Sequence, residues 1–170
     1  MNNSKTRKLV LTSLFAAIVC VLTFIVKIPT PTKGYVNLGD CAVIAAGWFL
    51  GPVYGAAAGG IGSALTDIFS GYFVYAPATF IIKATMSAAA FFVYHIMSAR
   101  ANNLVSRITA GITAEIIMIL GYFIYEGLIY GSFATAALGI PGNTAQGIMG
   151  VAGAVLIQET VLKRISARIS

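Results

Sequence analysis

Charged side chains are scarce in this sequence. Only 9% of its 170 residues are charged, whereas 58% are hydrophobic. A soluble domain carries roughly 25% charged residues, so a soluble protein of this composition could not cover its own surface. The composition therefore predicts that lipid surrounds most of the chain. At about 20 residues per crossing, the length allows about six transmembrane helices. We predict an all-α membrane protein, a compact six-helix bundle forming a single domain over residues 1–170.

The motifs of several chemical functions are also missing. The sequence contains no P-loop for ATP, no G-x-S-x-G nucleophile motif, and neither the H-E-x-x-H nor the C-x-x-C spacing. Its two cysteines, Cys20 and Cys41, lie in apolar runs, which favours buried, inert thiols. The single histidine, His95, lies near the end of a predicted helix. We therefore predict no metal, no cofactor and no enzymatic activity.

The net charge of +6 is not gathered in one basic patch. Lysine and arginine instead cluster near the start, in the middle and at the end of the chain. The residues concerned are Lys5, Arg7, Lys8, Arg100, Arg107, Lys163, Arg164 and Arg168. This distribution argues against nucleic-acid binding and matches the excess of basic residues in cytoplasmic loops. We expect a multi-pass protein of the cell (plasma) membrane with both termini in the cytoplasm.

Proline, glycine and polar stretches divide the chain into six predicted helices. These cover approximately residues 8–27, 40–50, 52–69, 77–97, 108–126 and 141–162. Asp40 is expected to cap the second helix, and Gly51-Pro52 to separate it from the third. The second helix has only about 11 to 14 residues, so its length does not decide whether it crosses the whole bilayer.

Small residues form stripes along several of these helices. In lipid such residues allow two helices to approach closely. One stripe is Gly51, Gly55, Gly59 and Ser63. A second stripe, on the first helix, is Ser13, Ala16, Ala17 and Cys20. Packing inside the protein is one interpretation, and docking of another membrane subunit against the first helix is the other.

Ionisable residues within membrane helices are costly, so each is a candidate functional residue. With six crossings, the polar helix ends face the outside, and Glu115 alone lies near mid-membrane. We predict an external pocket that binds a small, flat, polar heterocycle through aromatic rings and polar side chains. The predicted substrate-binding residues are Asn37, Asp40, Asp67, Tyr72, Tyr75, Lys83, Glu115, Tyr122, Glu126, Asn143 and Gln146. The alternative is that Lys83 pairs with Glu115 or Asp67 only to neutralise buried charge.

Linked motifs in the chain resemble one family. They are VNLGD at 36–40, LGPVYG at 50–55, GGIGSALTD at 59–67, SGY at 70–72, YAP at 75–77, TFIIK at 79–83 and PGNTAQ at 141–146. Together they resemble the substrate-binding S component of energy-coupling factor (ECF) vitamin transporters. The resemblance implies a prokaryotic membrane protein that captures a micronutrient outside the cell. It also implies a transmembrane coupling subunit and two cytoplasmic ATPase subunits as partners.

The resemblance extends to a subgroup and to a docking motif. The subgroup that the chain most resembles includes carriers of hydroxymethylpyrimidine and of vitamin B6 forms such as pyridoxine and pyridoxamine. In the family, a small-x-x-x-small motif on the first helix contacts the coupling subunit. Ala16 and Cys20 have this spacing here, with cysteine as the second member.

Three other functions are considered beside a binding subunit. A small intramembrane enzyme would use Glu115 or Asp67 as a base and would form product by itself. A channel or self-sufficient carrier would move its solute into liposomes without ATPases. A structural subunit of a larger complex would bind no small molecule.

Overall fold

The computed structural model describes residues 3–30, 32 and 34–169, with side chains for residues 5–30, 32 and 34–160. Within these residues the helices are α1 (Asn3–Ile25), α2 (Gly39–Leu50), α3 (Pro52–Phe69), α4 (Ala76–Ser98), α5 (Asn103–Ile129), α6 (Phe133–Ala137) and α7 (Ile140–Ile169). Two short strands, β1 (Ile28–Pro29) and β2 (Tyr35–Val36), pair antiparallel. The predicted helix breaker Pro31 and the basic side chains of Lys163, Arg164 and Arg168 lie outside the described residues.

The six predicted helices correspond to α1–α5 and α7, so the predicted helical membrane bundle is confirmed. Four segments are long and apolar enough to cross a membrane individually: Lys5–Ile25, Ala76–Ser98, Asn103–Ile129 and Phe133–Thr160. Helix α2 has 12 residues and is therefore about 18 Å long, less than the roughly 30 Å of a bilayer core. Most of its residues are buried, because α1, α3, α4 and α7 all pack against it.

Three loop assignments from the sequence are wrong. The stretch after α1 is not simply irregular, because β1 and β2 form a small hairpin there. The loop predicted over 127–140 contains the last turn of α5 and the short helix α6. The linker predicted over 98–106 is shorter, because Asn102 caps α5 by accepting a hydrogen bond from the Val105 N–H at 2.9 Å.

The earlier start of α5 changes the environment of Arg107. This residue lies on the helix, is 2% exposed and forms an ion pair with Glu159 of α7. A buried and paired guanidinium is not a loop cation of the kind that the positive-inside rule counts. Arg107 therefore does not support the predicted orientation, which depends on the other basic residues.

Asp40 does not cap α2. The N-cap position is Leu38, which has no side-chain capping hydrogen bond, and Asp40 lies within the first turn. Its carboxylate points into the bundle, where it accepts hydrogen bonds from Lys83 and Gln146. An ammonium within the same buried space competes more strongly for a carboxylate than backbone N–H groups do.

Glycines allow α2, α3 and α4 to pack at close range. A Cβ atom on Gly47 of α2 would lie 2.2 Å from the Ser87 carbonyl oxygen of α4, and one on Gly55 of α3 would lie 2.7 Å from the Gly47 Cα. Gly59 faces Val43 of α2 in the same way. Gly55 and Gly59 of the predicted stripe therefore pack inside the bundle, whereas a Cβ atom on Gly51 would meet no described atom within 4 Å.

The two faces of α5 separate lipid from the interior. Ile112, Ile116, Leu120 and Ile124 follow at steps of four, and each is about half exposed. The opposite face carries Ala110, Ala114 and Met118, which are fully buried, together with Glu115 and Glu126. The face with Glu115 and Glu126 thus points into the bundle, towards α4 and α7.

Candidate functional site

The polar ends of five helices meet at one end of the bundle, beneath the hairpin of β1 and β2. They surround a cavity of about 30 Å³, which is room for about one water molecule. Its lining residues are Thr23, Thr30, Gly34, Tyr35, Asn37, Ser63, Asp67, Tyr75, Thr79, Lys83, Tyr122, Glu126, Asn143 and Gln146. Such a concave site with converging polar groups is the usual form of a small-molecule site.

One side of the cavity is a buried network centred on Asp40. Lys83 donates to Asp40 Oδ1, and Gln146 Nε2 donates to Asp40 Oδ2 at 2.6 Å. The Gln146 Oε1 atom in turn accepts a hydrogen bond from the Asn37 N–H at 2.7 Å. Lys83, Asp40 and Gln146 are each 1% exposed. The network joins α2, α4 and α7 to the loop after β2, so Lys83 and Gln146 are held rigidly at the cavity wall.

Tyrosines and Glu126 form the opposite side. The Tyr75 hydroxyl lies 3.2 Å from Glu126 Oε1 and 3.0 Å from the Tyr130 hydroxyl. Both hydroxyls donate to the Thr32 carbonyl oxygen at 2.8 Å. These hydrogen bonds attach the hairpin loop to α4 and α5. Deeper in the cavity, the hydroxyls of Thr79 and Tyr122 are 3.0 Å apart. This wall therefore presents hydroxyls and a carboxylate from the start of α4 and the end of α5.

The hairpin covers the cavity through Tyr35. Its hydroxyl donates to Asp67 Oδ1 at 2.5 Å, and its ring meets the Tyr72 ring edge-on at a centroid distance of 4.9 Å. Burial raises the pKa of the Tyr35 phenol, and the neighbouring Asp67 carboxylate raises it further. Tyr35 therefore remains a protonated hydrogen-bond donor at physiological pH, and it ties the hairpin to the end of α3.

Four cavity-lining residues have a buried polar atom that lacks a hydrogen-bond partner among the described residues. These atoms are Thr23 Oγ1, Ser63 Oγ, Asp67 Oδ2 and Glu126 Oε2. A buried polar group without a partner costs about 1–3 kcal/mol, and more when it is charged. Two of the four are carboxylate oxygens, so the cavity is best matched by a molecule that donates hydrogen bonds.

The structure places eight of the eleven predicted binding residues in the cavity wall: Asn37, Asp67, Tyr75, Lys83, Tyr122, Glu126, Asn143 and Gln146. Three lie elsewhere. Asp40 is behind the wall, and Tyr72 packs against the rings of Tyr35 and Tyr75. Glu115 lines a separate, apolar groove between α5 and α7.

The pairing predicted for Lys83 is wrong. Its ion pair is with Asp40, and neither Glu115 nor Asp67 is its salt-bridge partner. Helix α4 lies between α2 and α5, so Lys83 could reach either helix. In the bundle Asp40 of α2 is buried, and it is the carboxylate that Lys83 meets.

Six residues of the cavity wall are not among the predicted binding residues: Thr23, Thr30, Gly34, Tyr35, Ser63 and Thr79. All six are uncharged and of types common in membrane helices or loops, so residue type alone does not identify them. Ser63 and Thr79 could have been found, because Ser63 lies on the small-residue stripe of α3 and Thr79 is one turn before Lys83.

The small residues of α1 divide between two environments. Ala16 and Cys20 are half-buried against α3, where the Thr66 hydroxyl donates to the Cys20 carbonyl oxygen at 3.1 Å. Ser13 and Ala17 are exposed. With Ile61 and Leu65 of α3, all four line a shallow apolar groove on the outside of the bundle.

A helical membrane bundle with an enclosed polar cavity at one end is the architecture of a membrane-embedded binding protein. Comparison with known proteins identifies its family. The model of the family described as "ECF-type riboflavin transporter, S component" matches residues 3–164. The chain therefore belongs to this family. It is an S component, the substrate-binding membrane subunit of an ECF transporter, and not an enzyme.

Solved structures agree with this assignment at the level of the fold. The chain is similar to one described as the S component of a bacterial ECF transporter, with a TM-score of 0.74, 24% identity and coverage of 95% of this chain and 98% of that one. It is also similar to the S component for biotin of an ECF-type ABC transporter, with a TM-score of 0.65, 20% identity and 94% of each chain covered.

A relative from Pyrococcus woesei is similar in sequence. It is described as an uncharacterized protein in the gap 3' region. The two are 35% identical over 114 residues, which are 66% of this chain and 74% of the relative.

Proposed function

We propose that this S component captures a single-ring heterocyclic vitamin or precursor, of the hydroxymethylpyrimidine or pyridoxine type, at the outer face of the membrane. The observation that carries the proposal is the set of unpartnered buried oxygens facing the cavity, foremost Asp67 Oδ2 and Glu126 Oε2. Ring amino and hydroxyl groups are the donors that would satisfy these oxygens. The rings of Tyr35, Tyr75 and Tyr122 would contact the faces and edges of the heterocycle.

The size of the cavity supports a small ligand. A benzene-sized molecule occupies a cavity of roughly 150 Å³, whereas this cavity measures about 30 Å³. Any vitamin therefore has to displace part of the wall, and a single ring requires less displacement than the three fused rings of riboflavin. The hairpin and the segment 71–77 are the parts we propose to open and then close over the ligand.

The test is to identify and titrate the ligand of the purified full chain. We expect mass spectrometry to detect a co-purifying single-ring heterocycle. Calorimetry should then give one site for pyridoxine or hydroxymethylpyrimidine and no binding of riboflavin. Binding of riboflavin alone would overturn the single-ring proposal, and binding of none of these with no co-purifying molecule would argue against a vitamin-binding role.

Glu126→Gln tests the donor-rich character of the ligand. The substitution removes the charge from a cavity carboxylate whose Oε2 atom is unpartnered among the described residues. We expect the dissociation constant of the vitamin to rise at least about tenfold, the effect of one lost charged hydrogen bond. Glu159→Gln is the same substitution on α7, away from the cavity, and serves as the control: loss of its ion pair with Arg107 should lower stability, but vitamin affinity should stay normal. Equal affinity in both variants would remove Glu126 from the site.

We further propose that release of the vitamin is driven by a transmembrane coupling subunit and two cytoplasmic ATPases, with both termini of this chain in the cytoplasm. The shallow groove containing Ser13 and Ala17 is the proposed docking surface, because exposed small residues allow close approach of a second helix. Cys20, at the second small position of the motif, would lie at its edge.

Substitution of Ala17 by tryptophan should block this contact. We expect at least a tenfold loss of co-purifying coupling subunit, with unchanged vitamin affinity in the isolated S component. Ile18→Trp introduces the same side chain at an exposed position on another face of α1 and should leave the complex intact. If the two variants retain the coupling subunit equally, docking does not occur at this groove.

A further inference from the structure

Glu115 is a predicted binding residue that lies outside the cavity wall and is buried without a hydrogen-bond partner among the described residues. Its side chain is 4% exposed, and among the described residues neither carboxyl oxygen has a partner. Its position is near the middle of the membrane-spanning helix α5, more than three turns from either end. An isolated carboxylate in such a place is strongly unfavourable, so a charge or a proton has to compensate it.

The nearest charged group is another carboxylate. Glu115 Oε1 and the Asp40 side chain approach the same point beside Gly150 of α7. Gly150 of α7 leaves space for both, because a Cβ atom there would lie 2.2 Å from Glu115 Oε1 and 3.0 Å from Asp40 Cβ. Two carboxylates at this distance cannot both stay ionised away from water, but one proton between them makes a strong hydrogen bond.

Among the described side chains, the cation that acts on Glu115 is Lys83. Lys83 of α4 is paired with Asp40, and its ammonium lies 5.5 Å from the Tyr122 ring. From α2 the remaining titratable neighbour is the Cys41 thiol, and α7 presents the uncharged Gln146 beside two glycines. Two carboxylates and one ammonium leave one negative charge in excess, which a single proton cancels.

We propose that Glu115 and Asp40 form a proton-binding site behind the cavity wall, in which a protonated Glu115 donates a hydrogen bond to ionised Asp40. The bound proton makes the cluster of Lys83, Asp40 and Glu115 neutral. A metal ion does not fit this site, because the described residues contain no group of three or more His, Cys, Asp or Glu side chains. Hard cations require about six oxygen ligands.

The site is connected to the cavity through Asp40. Asp40 holds two wall residues, Lys83 and Gln146, and on its other side it accepts the proposed hydrogen bond from Glu115. Loss of the proton would place a second negative charge beside Asp40 and draw Lys83 more firmly away from the cavity. This consequence rests on the proposed function, because Lys83 then becomes less available to a ligand. Vitamin affinity should therefore fall as pH rises through the titration of the pair.

The proton site itself can be tested without any ligand. The full chain, reconstituted in liposomes, is studied by infrared difference spectroscopy between neutral and alkaline pH. We expect the carbonyl stretch of a protonated carboxylic acid at neutral pH in the wild type and in the Glu159→Gln control, and its loss in Glu115→Gln. A band that survives unchanged in Glu115→Gln, or no band in the wild type, would overturn the proposal.

A second measurement covers the case in which Glu115→Gln does not fold. Glu115→Asp keeps a carboxyl group on a shorter side chain, so the band should shift in frequency, and an unshifted band contradicts the assignment to Glu115. Where Glu115→Gln folds, its thermal midpoint should change less between neutral and alkaline pH than that of the wild type. Failure of vitamin binding would leave these spectra unaffected, so the two proposals can fail separately.

Discussion

Replacement of Lys83 by alanine is expected both to abolish tight vitamin binding and to destabilise the bundle. The substitution leaves Asp40 buried without its ammonium partner, and breaking a buried ion pair in this way costs about 3–5 kcal/mol. It also removes a hydrogen-bond donor from the cavity wall, so the dissociation constant should rise well over tenfold. Calorimetry and unfolding in a denaturing detergent measure the two effects.

A double variant separates folding from binding. Lys83→Met together with Asp40→Asn removes both charges and retains the volume of the two side chains. Replacement of a buried ion pair by well-packed neutral groups is often nearly neutral for stability, so the double variant should recover most of the lost stability. Vitamin affinity should stay as low as in Lys83→Ala. If the double variant recovers vitamin affinity as well as stability, Lys83 acts only by pairing with Asp40.

Gly47→Ala is expected to have the second-largest effect. The added Cβ atom would lie 2.2 Å from the Ser87 carbonyl oxygen, and because this neighbour is backbone, α2 and α4 have to move apart. Overpacking of this kind costs about 1–3 kcal/mol or more. Since α2 carries Asp40 and α4 carries Lys83, the same movement should weaken vitamin binding.

Gly111→Ala provides the matched control. It is the same substitution within a long helix, but its nearest neighbours are the methyl groups of Val151 at 3.1 Å, which can move by a few tenths of an ångström. Alanine also favours a helix over glycine by about 1 kcal/mol, which offsets the closer contact. We expect stability within about 1 kcal/mol of the wild type and normal binding. If both variants lose equal stability and affinity, the close backbone contact at Gly47 is not the cause of the loss.

The presence of Tyr122 and Glu126 together in the cavity wall has a simple physical basis. Both residues lie on one face of α5, and helical periodicity decides which residues share a face. The sequence also indicates which side of α5 faces lipid, because that side carries isoleucine and leucine at steps of four. Local periodicity, however, does not determine how deep in the bundle each residue lies or which neighbour it meets.

Two assignments failed for this reason. Asp40 looks like a helix cap in the sequence, and Glu115 looks like part of the pocket. In the structure Asp40 binds Lys83 and Gln146, whereas Glu115 lies outside the cavity wall. Both outcomes depend on how neighbouring helices pack, and glycines such as Gly47 set the closest of these approaches.

The sequence by itself determined that this protein is a helical membrane bundle, because an apolar chain with so few charges must satisfy its backbone within helices in lipid. It also determined which end of the bundle is polar, since the few ionisable residues lie near particular helix ends. Only the tertiary structure decided that Lys83 pairs with Asp40, that a hairpin covers the cavity and that Glu115 faces Asp40. These features join residues far apart in the chain. Their geometry arises from packing between helices, which local sequence patterns do not determine.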